Sequence, residues 1–267
     1  MNQLSKPNLT VLITGASSGI GLDFAHIFAK EGNDLVLVAR SGDKLEHLAQ
    51  ELAQKYSIKC SVIVCDLSKL GAAKEILAKT RAMNKKIQVL INNAGFGMLG
   101  VFSEIDSKTQ SEMIQVNIAA LTELTHCFLN EMLKNGGGKI LNVASTAAFQ
   151  PGPFMSVYYA TKAYVLSFSE ALANELKGTN VQVSVLCPGP TVTGFQSTAK
   201  IDDASKIFNA KIAANSLSVA QAGYDGLMNK EVLIIPGVMN KIGVCSSKLL
   251  PRNIVTNVTR WLQEKKN

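Results

Sequence analysis

Residues 158–162, with the sequence YYATK, place two phenols and an ammonium group close together on an expected helix. Lys162 follows Tyr158 by four residues, so these two side chains share one helix face. Tyr159 lies about 100° further round the helix, and its own four-residue partner, Ala163, carries no charge. A free tyrosine titrates near pH 10, and a nearby ammonium group favours the phenolate. The stretch is consistent with proton transfer, although two tyrosines packed in an ordinary amphipathic helix also fit the pentapeptide.

A glycine-rich loop near the N-terminus indicates a second kind of chemistry, the binding of phosphate. Gly15, Gly19 and Gly21 give a G-x-x-x-G-x-G spacing in TGASSGIGLDF. Gly15 permits a sharp turn, Gly19 a close backbone approach, and Gly21 the packing of a helix on a strand. The amides that open this helix would face a pyrophosphate. A flexible turn is the alternative for a glycine loop alone, but the strand before it and the helix after it favour dinucleotide binding.

Seven apolar runs of strand length alternate with segments of helical period. The runs are rich in Val, Ile and Leu without strict alternation, as in parallel strands buried on both faces. This order predicts an α/β fold, a doubly wound seven-stranded parallel sheet flanked by helices. The predicted strands are 10–14, 34–39, 60–64, 88–92, 139–145, 181–186 and 231–235, and the predicted helices are 19–31, 43–56, 69–83, 107–134, 157–177 and 203–228.

The chain contains no linker or internal repeat, so residues 1–267 are expected to form one domain. Residues 190–230 are less periodic and precede the last strand, where an insertion would cover the carboxyl ends of the strands. We expect this segment to act as a lid over a ligand. Residues 240–267 resemble an appended tail with one short amphipathic helix near 252–264.

Composition is that of a globular protein, with 47% hydrophobic and 18% charged residues among 267. The net charge is +7, and from residue 200 onward ten Lys and Arg face five Asp and Glu. Because these lysines are dispersed, a solvated face is favoured over nucleic-acid binding, and contact with an anionic membrane surface is the minor alternative. No apolar run reaches the roughly 18 residues of a membrane span. Five scattered cysteines fit a reduced, cytoplasmic compartment.

Metal catalysis has little support in the sequence. The three histidines, His26, His47 and His126, fall on separate helical segments without the spacing of metal ligands. They are expected to face solvent or to pack against neighbours.

The motifs together resemble the classical short-chain dehydrogenase/reductase family, whose glycine motif is TGxxxGxG and whose catalytic motif is Tyr-x-x-x-Lys. The glycine spacing differs from the G-x-G-x-x-G of two-domain dehydrogenases, and no Lys-Ser/Thr follows the last glycine as it would in a P-loop. The matching motifs run in family order over residues 10–195, about three-quarters of the chain. The resemblance implies a Rossmann fold and hydride transfer between a nicotinamide and a carbonyl or alcohol carbon.

The resemblance implies four catalytic residues. Tyr158 is the general acid/base, and Lys162 favours its phenolate and binds the nicotinamide ribose; a pKa lower by about three units would need roughly 4 kcal/mol. Ser145, in LNVASTAA, matches the serine that orients the carbonyl, whereas Thr146 is a weaker candidate. Asn117, in MIQVNIAA, matches an asparagine whose backbone holds a water molecule, although its local sequence alone favours a solvent-facing residue.

The cofactor residues follow from the same resemblance. The second strand ends in Ala39-Arg40 without a carboxylate, and an arginine there suits a 2′-phosphate, so NADP(H) is preferred over NAD(H), the alternative being an exposed strand-end charge. Asp66, in VCDLS, would contact the adenine amino group or cap the next helix. The remaining candidates are Ser17, Ser18 and Ile20 in the glycine loop, Leu67 beside Asp66, Asn93, Ala94 and Gly95 in NNAG, and Pro188, Gly189, Thr191 and Thr193 in CPGPTVTGF, of which Thr193 is favoured over Thr191 for the carboxamide.

The expected pocket wall is apolar, which favours a hydrophobic ketone, aldehyde or secondary alcohol as substrate. Its candidate residues are Phe96, Met98, Leu99, Phe149, Phe154, Met155 and Phe195, several of which could instead belong to the core. A sensor or scaffold that binds NADP(H) without turnover is the alternative function. The resemblance also implies a homodimer or homotetramer, formed through residues 107–134 and 157–177.

Overall fold

A computed structural model describes residues 8–199 and 213–264. Seven parallel strands form one sheet in the order β3-β2-β1-β4-β5-β6-β9. The strands are β1 Thr10–Thr14, β2 Asp34–Ala39, β3 Cys60–Val64, β4 Val89–Asn92, β5 Gly138–Val143, β6 Val181–Leu186, β7 Thr191–Val192, β8 Ala214–Asn215 and β9 Leu233–Ile234. The helices are α1 Gly19–Lys30, α2 Gly42–Tyr56, α3 Ala72–Ala82, α4 Ser107–Ile114, α5 Leu121–Lys134, α6 Ser156–Glu175, α7 Phe195–Thr198, α8 Ser216–Met228, α9 Val238–Leu249 and α10 Arg252–Gln263.

The sheet buries both of its faces, which explains why the strands read as continuous apolar runs. In β1, Val11 and Ile13 point into one hydrophobic cluster and Leu12 into the other, and all three are fully buried. The first cluster lies under α1, α2 and α8, and the second under α3 and α5. Helices on both faces of a parallel sheet confirm the predicted doubly wound fold.

Several element boundaries differ from the predicted ones, and the largest differences are in the helices. The predicted helix 107–134 is interrupted by a π-helical segment, Gln115–Ala120, between α4 and α5. The tail holds two helices, α9 and α10, where one near 252–264 is predicted. Residues 203–212 of the predicted helix 203–228 lie outside the described residues, and α8 begins at Ser216.

The predicted lid range, 190–230, includes a helix that belongs to the core. α8 packs its Val219, Ala220 and Leu227 into the first hydrophobic cluster. A Cβ atom added at Gly223 would lie 2.8 Å from the ring of Phe24 on α1, so these two helices pack closely. The C-terminal part of the range is therefore a structural layer of the sheet, and the lid stays a prediction for the residues before it.

β1 lies between β2 and β4. The chain passes from β1 to β2 on one side and later returns to β4 on the other side of β1. At such a point the loops that follow the two strands separate and leave a crevice at their carboxyl ends. The glycine loop follows β1 and the NNAG motif follows β4. The topology therefore brings these two motifs together.

Within residues 8–199 and 213–264, no helix combines the length and apolar character needed to cross a membrane.

Candidate active site

The glycine loop turns sharply between β1 and α1. Gly15 has φ +66°, and a Cβ atom there would lie 2.9 Å from Asn93 Nδ2, so a larger residue would suffer from both strain and crowding. Gly21 faces the Gly15 carbonyl and Asn93, so it serves helix packing. Ser18 is the N-cap of α1, and its side chain makes no capping hydrogen bond. The first amides of α1 are therefore not occupied by a side-chain cap.

The NNAG loop is tied to the end of β1 by side-chain hydrogen bonds. The Thr14 hydroxyl accepts from the backbone amides of Asn93 and Ala94, each at 3.0 Å. Asn93 Nδ2 donates to the Thr14 carbonyl at 3.0 Å. Thr14 is not among the residues predicted from the sequence, because its partners are about 80 positions away. These bonds fix one loop against the other.

Arg40 and Asp66 lie at one end of the crevice, after β2 and β3. Burial raises the pKa of the Asp66 carboxyl, but hydrogen bonds from Ser68 and the nearby charges of Arg40 and Lys69 outweigh it, so the net pKa is below its usual value. Ser68 N donates to Asp66 Oδ1 at 3.0 Å. Arg40 is exposed, and no acidic side chain stands at the end of β2.

The catalytic candidates meet where β5 ends and α6 begins its second turn. Lys162 Nζ donates to the Val143 carbonyl at 2.9 Å and lies 5.8 Å from the centre of the Tyr158 ring. Ser145 lies two residues beyond the end of β5, and its Oγ accepts from the Ala147 amide at 3.1 Å. The Ser145 hydroxyl is also close enough to Tyr158 to act on the pKa of the phenol. The hydroxyl, the phenol and the ammonium group therefore form one constellation.

Burial changes the pKa of both members of the Tyr158–Lys162 pair in favour of their neutral forms. It raises the pKa of Tyr158, and the Ser145 hydroxyl offsets this only in part. It lowers the pKa of Lys162 to about 8. The predicted lowering of the phenol pKa depends on Lys162 together with the oxidised nicotinamide, and in the chain by itself burial is the largest influence on the pKa of Tyr158. The phenol is a proton donor in this state.

Asn117 lies in the π-helical segment and is 1% exposed. Its Nδ2 donates to the Phe96 carbonyl at 2.9 Å and to Thr161 Oγ1 at 3.0 Å, while its Oδ1 accepts from the Phe96 amide at 3.1 Å. The side chain thereby holds the loop after NNAG against the catalytic helix. Asn117 does not line the cavity, so its side chain acts behind the site.

The turn after β6 forms the third side of the crevice. The Thr191 hydroxyl donates to the Gly189 carbonyl at 2.9 Å, whereas Thr193 Oγ1 accepts from the Phe195 amide at 3.1 Å. Thr193 packs against the glycine loop, since a Cβ atom added at Gly19 would lie 3.0 Å from its side chain. Phe195 follows and stands over Tyr158, with ring centres 5.3 Å apart.

These loops enclose a cavity of about 600 Å³. It is lined by all the predicted site residues except Gly21 and Asn117: Gly15, Ser17, Ser18, Gly19, Ile20, Arg40, Asp66, Leu67, Asn93, Ala94, Gly95, Ser145, Tyr158, Lys162, Pro188, Gly189, Thr191 and Thr193.

The wall of the same cavity includes residues both inside and outside the predicted set. Of the predicted apolar wall, Phe96, Met155 and Phe195 line it. Gln150 and Leu262 also line it and were not predicted. No local motif marks them, and α10 reaches the site only through tertiary folding.

The metal prediction concerns the three histidines, His26, His47 and His126. Among the residues that the structure describes, no three His, Cys, Asp or Glu side chains are grouped closely enough to bind a metal ion.

Comparison with known proteins agrees with this site. The family model described as short chain dehydrogenase matches residues 9–204. Ketoacyl reductase HetN of Nostoc sp. is 31% identical over 260 residues, which cover 94% of this chain and 88% of that protein. A solved short-chain dehydrogenase from Sphingobium yanoikuyae in complex with NADPH is 32% identical, with a TM-score of 0.80 over 90% of this chain and 94% of that one. A solved 7beta-hydroxysteroid dehydrogenase is 27% identical, with a TM-score of 0.86 over 97% and 100% of the two chains.

The fold and the site define a nicotinamide-dependent oxidoreductase that acts on CH–OH or C=O groups. The chain belongs to the short-chain dehydrogenase family.

Proposed function

We propose that this enzyme is an NADP(H)-dependent reductase of hydrophobic ketones and aldehydes, or a dehydrogenase of the matching secondary alcohols, with Tyr158 as general acid/base. The observation that carries the proposal is the meeting of Ser145, Tyr158 and Lys162 in one cavity with the glycine loop. An NADP(H)-binding sensor without turnover would have no need of this constellation.

The residues present fit a nicotinamide dinucleotide. The uncapped amides that open α1 and the crowded turn at Gly15 suit a pyrophosphate. Asp66 suits the adenine amino group, and Lys162, at the opposite end of the cavity, suits the ribose hydroxyls. The cofactor, when bound, supplies or accepts the hydride.

Residues of the chain itself transfer the proton and orient the substrate carbonyl. Ser145 donates a hydrogen bond to the carbonyl oxygen, where negative charge develops. Tyr158, held as a neutral phenol by burial, donates its proton to that oxygen during reduction. The ammonium group of Lys162 stabilises the resulting phenolate. In alcohol oxidation the phenolate removes the proton instead.

The preference for NADP(H) follows from Arg40. Its guanidinium lies at the end of β2, where no carboxylate is available for a ribose 2′-hydroxyl. A 2′-phosphate is the matching partner for a planar, permanently charged donor. The apolar wall of Phe96, Met155 and Phe195 in turn supports a hydrophobic substrate.

The direct test is NADPH oxidation by the purified protein on a panel of cyclic, aromatic and long-chain ketones, compared with Tyr158→Phe. We expect the variant to bind NADPH as the wild type does and to lose kcat by about 10²–10⁴-fold. Tyr164→Phe is the matched control, because it removes an exposed phenol from the same helix. A wild type that binds NADPH but is as inactive as Tyr158→Phe on every ketone would favour the sensor.

A further inference from the structure

The last described helix returns to the catalytic helix. Gln263, on α10, donates from Nε2 to the Tyr159 hydroxyl at 2.5 Å, across 104 residues of sequence. Gln263 is 4% exposed and Tyr159 is 8% exposed. From the sequence alone Tyr159 is expected to be a packing residue, and the structure adds a polar role for its hydroxyl. This contact places an amide beside the active site that no sequence motif predicts.

Tyr159 is held rigidly on its other sides. A Cβ atom added at Gly152 would collide with its ring, so the loop before α6 lies flat against one face. Its ring meets that of Tyr158 edge to face, with centres 6.0 Å apart and an interplanar angle of 75°. Gln150 lies close enough to this hydroxyl to lower the pKa of Tyr159, although burial still raises that pKa overall. Three polar side chains, Gln150, Tyr159 and Gln263, therefore form one cluster next to the proton donor.

This cluster has hydrogen-bonding capacity that the protein does not use. Gln263 Oε1 is buried and has no hydrogen-bond partner among the described residues. An amide oxygen left unpaired in the interior costs about 1–3 kcal/mol, and Gln263 does not line the cavity, so a ligand in the cavity would meet Gln150 and Tyr159 instead. The Tyr159 hydroxyl can donate as well as accept. Gln150 and Tyr159 both line the cavity that contains Tyr158.

The charge of the three side chains and the polarity of the neighbouring cavity wall determine which ligand groups the cluster can bind. None of its three side chains carries a charge, since burial raises the pKa of Tyr159 to about 12. The neighbouring cavity wall is apolar at Met155, Phe195 and Leu262. A charged ligand group would have no counter-charge in the cluster, whereas a hydroxyl or a second carbonyl would find both donors and acceptors.

We propose that Gln150 and Tyr159, with Gln263 supporting Tyr159 from behind, form a neutral polar subsite that binds a second oxygen function of the substrate. The substrate class is then a hydrophobic hydroxy-ketone or diketone, or the corresponding diol, whose second oxygen is remote from the reacting carbon. This inference rests on the proposed reductase function. It assigns α10 to substrate selection and makes Gln263 a positioning residue that acts through Tyr159.

The test compares ketones that differ by one hydroxyl group. The pairs are 4-methylcyclohexanone with 4-hydroxycyclohexanone, and 4-phenylcyclohexanone with 4-(4-hydroxyphenyl)cyclohexanone. The measured quantity is the ratio of kcat/KM for the hydroxylated ketone to that for its plain partner. We expect a ratio above one in the wild type for at least one pair. In Gln263→Leu and Tyr159→Phe that ratio should fall about five- to tenfold, mainly through KM.

Gln221→Leu, the same change at an exposed position on α8, should leave the ratio at the wild-type value. Binding of the four ketones to the NADP⁺-loaded wild type is followed in parallel by the fluorescence of Trp261, the single tryptophan. If kcat/KM falls equally for both ketones of each pair in both variants, the subsite proposal is wrong, and Gln263 and Tyr159 have only a structural role. A wild type that reduces the plain ketones with no gain from the hydroxyl would overturn the subsite but not the reductase. If the wild type reduces none of the ketones, the proposed reductase function is wrong. The ratio of binding affinities within each ketone pair then tests the subsite by itself.

Discussion

At the residue scale, burial acts on the two titratable catalytic groups by removing water from their charged forms. Lys162 is 6% exposed, and its ammonium group donates a hydrogen bond to the Val143 carbonyl. Its pKa is lowered from 10.5 to about 8 by this burial. The charged ammonium group of Lys162 therefore destabilises the folded state at neutral pH, and it also places a cation close to the phenol.

Replacing Lys162 with Met should stabilise the protein while abolishing catalysis. A pKa lowered from 10.5 to about 8 corresponds to about 3 kcal/mol, and the lost hydrogen bond to Val143 costs ~1 kcal/mol, so a net gain of ~2 kcal/mol is expected at pH 7. Below about pH 8 the lysine is charged in both states. Between about 8 and 10.5 the unfolded chain holds the proton and the folded chain does not, so wild-type stability rises with pH and the gap narrows.

Urea unfolding of wild type and Lys162→Met at pH 7, 8, 9 and 10 measures this difference. Lys44→Met, at an exposed position on α2, is the control and should change stability by less than ~0.5 kcal/mol. A Lys162→Met protein that is less stable than wild type at pH 7 would contradict the prediction.

Arg40 should determine the choice between the two nicotinamide dinucleotides. We expect Arg40→Ala to lower kcat/KM with NADPH by about 10–100-fold, the effect of one lost charge-assisted hydrogen-bond pair, and to change kcat/KM with NADH little. Arg81→Ala is the control, because Arg81 pairs with Glu131 at 2.6 Å and does not line the cavity. Equal losses with both cofactors would show that Arg40 does not contact the 2′-phosphate.

At the scale of elements, a buried chain of side-chain amides and hydroxyls fixes the central strands to the helices behind them. Asn92 on β4 donates to Thr125 on α5 and to Asn142 on β5, each at 2.9 Å. Asn142 in turn donates to Ser169 on α6 at 2.9 Å. Since β5 leads to Ser145 and α6 carries Tyr158, this chain sets the relative position of the two hydroxyls.

Asn142→Leu should therefore destabilise the fold and disturb the site together. The change leaves one donor hydrogen of Asn92 unpaired in a fully buried place and removes the bond that Ser169 accepts, although the Ser169 hydroxyl still donates to the Val165 carbonyl. A loss of about 2–3 kcal/mol in the free energy of unfolding is expected. Denaturant unfolding and ketone reduction measure the two effects. Asn130→Leu, on the exposed face of α5, should be near neutral, and equal stability of the two variants would contradict this account.

Some strands, helices and site loops could be predicted from the sequence, and others could not. β1, β2, β3 and β6 begin and end where predicted, because a strand buried on both faces must be apolar throughout. α9 was missed because only Val244 of its twelve residues is buried, so its apolar residues follow no single inward face. The site loops were predicted because their chemistry is local. The contacts of Thr14, Asn117 and Gln263 were not, because each joins residues that are distant in the chain.

At the scale of the whole molecule, the family resemblance predicts association through α4, α5 and α6. Ile114 and Leu133, on α4 and α5, are 46% and 45% exposed in the single chain. We expect light scattering to give a mass of two or four chains, and Leu133→Asp to reduce it. A single-chain mass at every concentration tested would contradict this prediction.

The contact between Gln263 and Tyr159 also has a consequence for biosynthesis and for handling of the protein. The first six strands of the sheet end by Leu186, yet the Tyr159 hydroxyl on the catalytic helix gains its Gln263 partner only after residue 263 has left the ribosome. The nascent chain therefore completes the sheet around α6 before it completes this contact beside the active site. For the same reason, an affinity tag on the C-terminal side of α10 would lie near the cavity wall at Leu262, and a tag on the N-terminal side of β1 is the better choice for kinetic work.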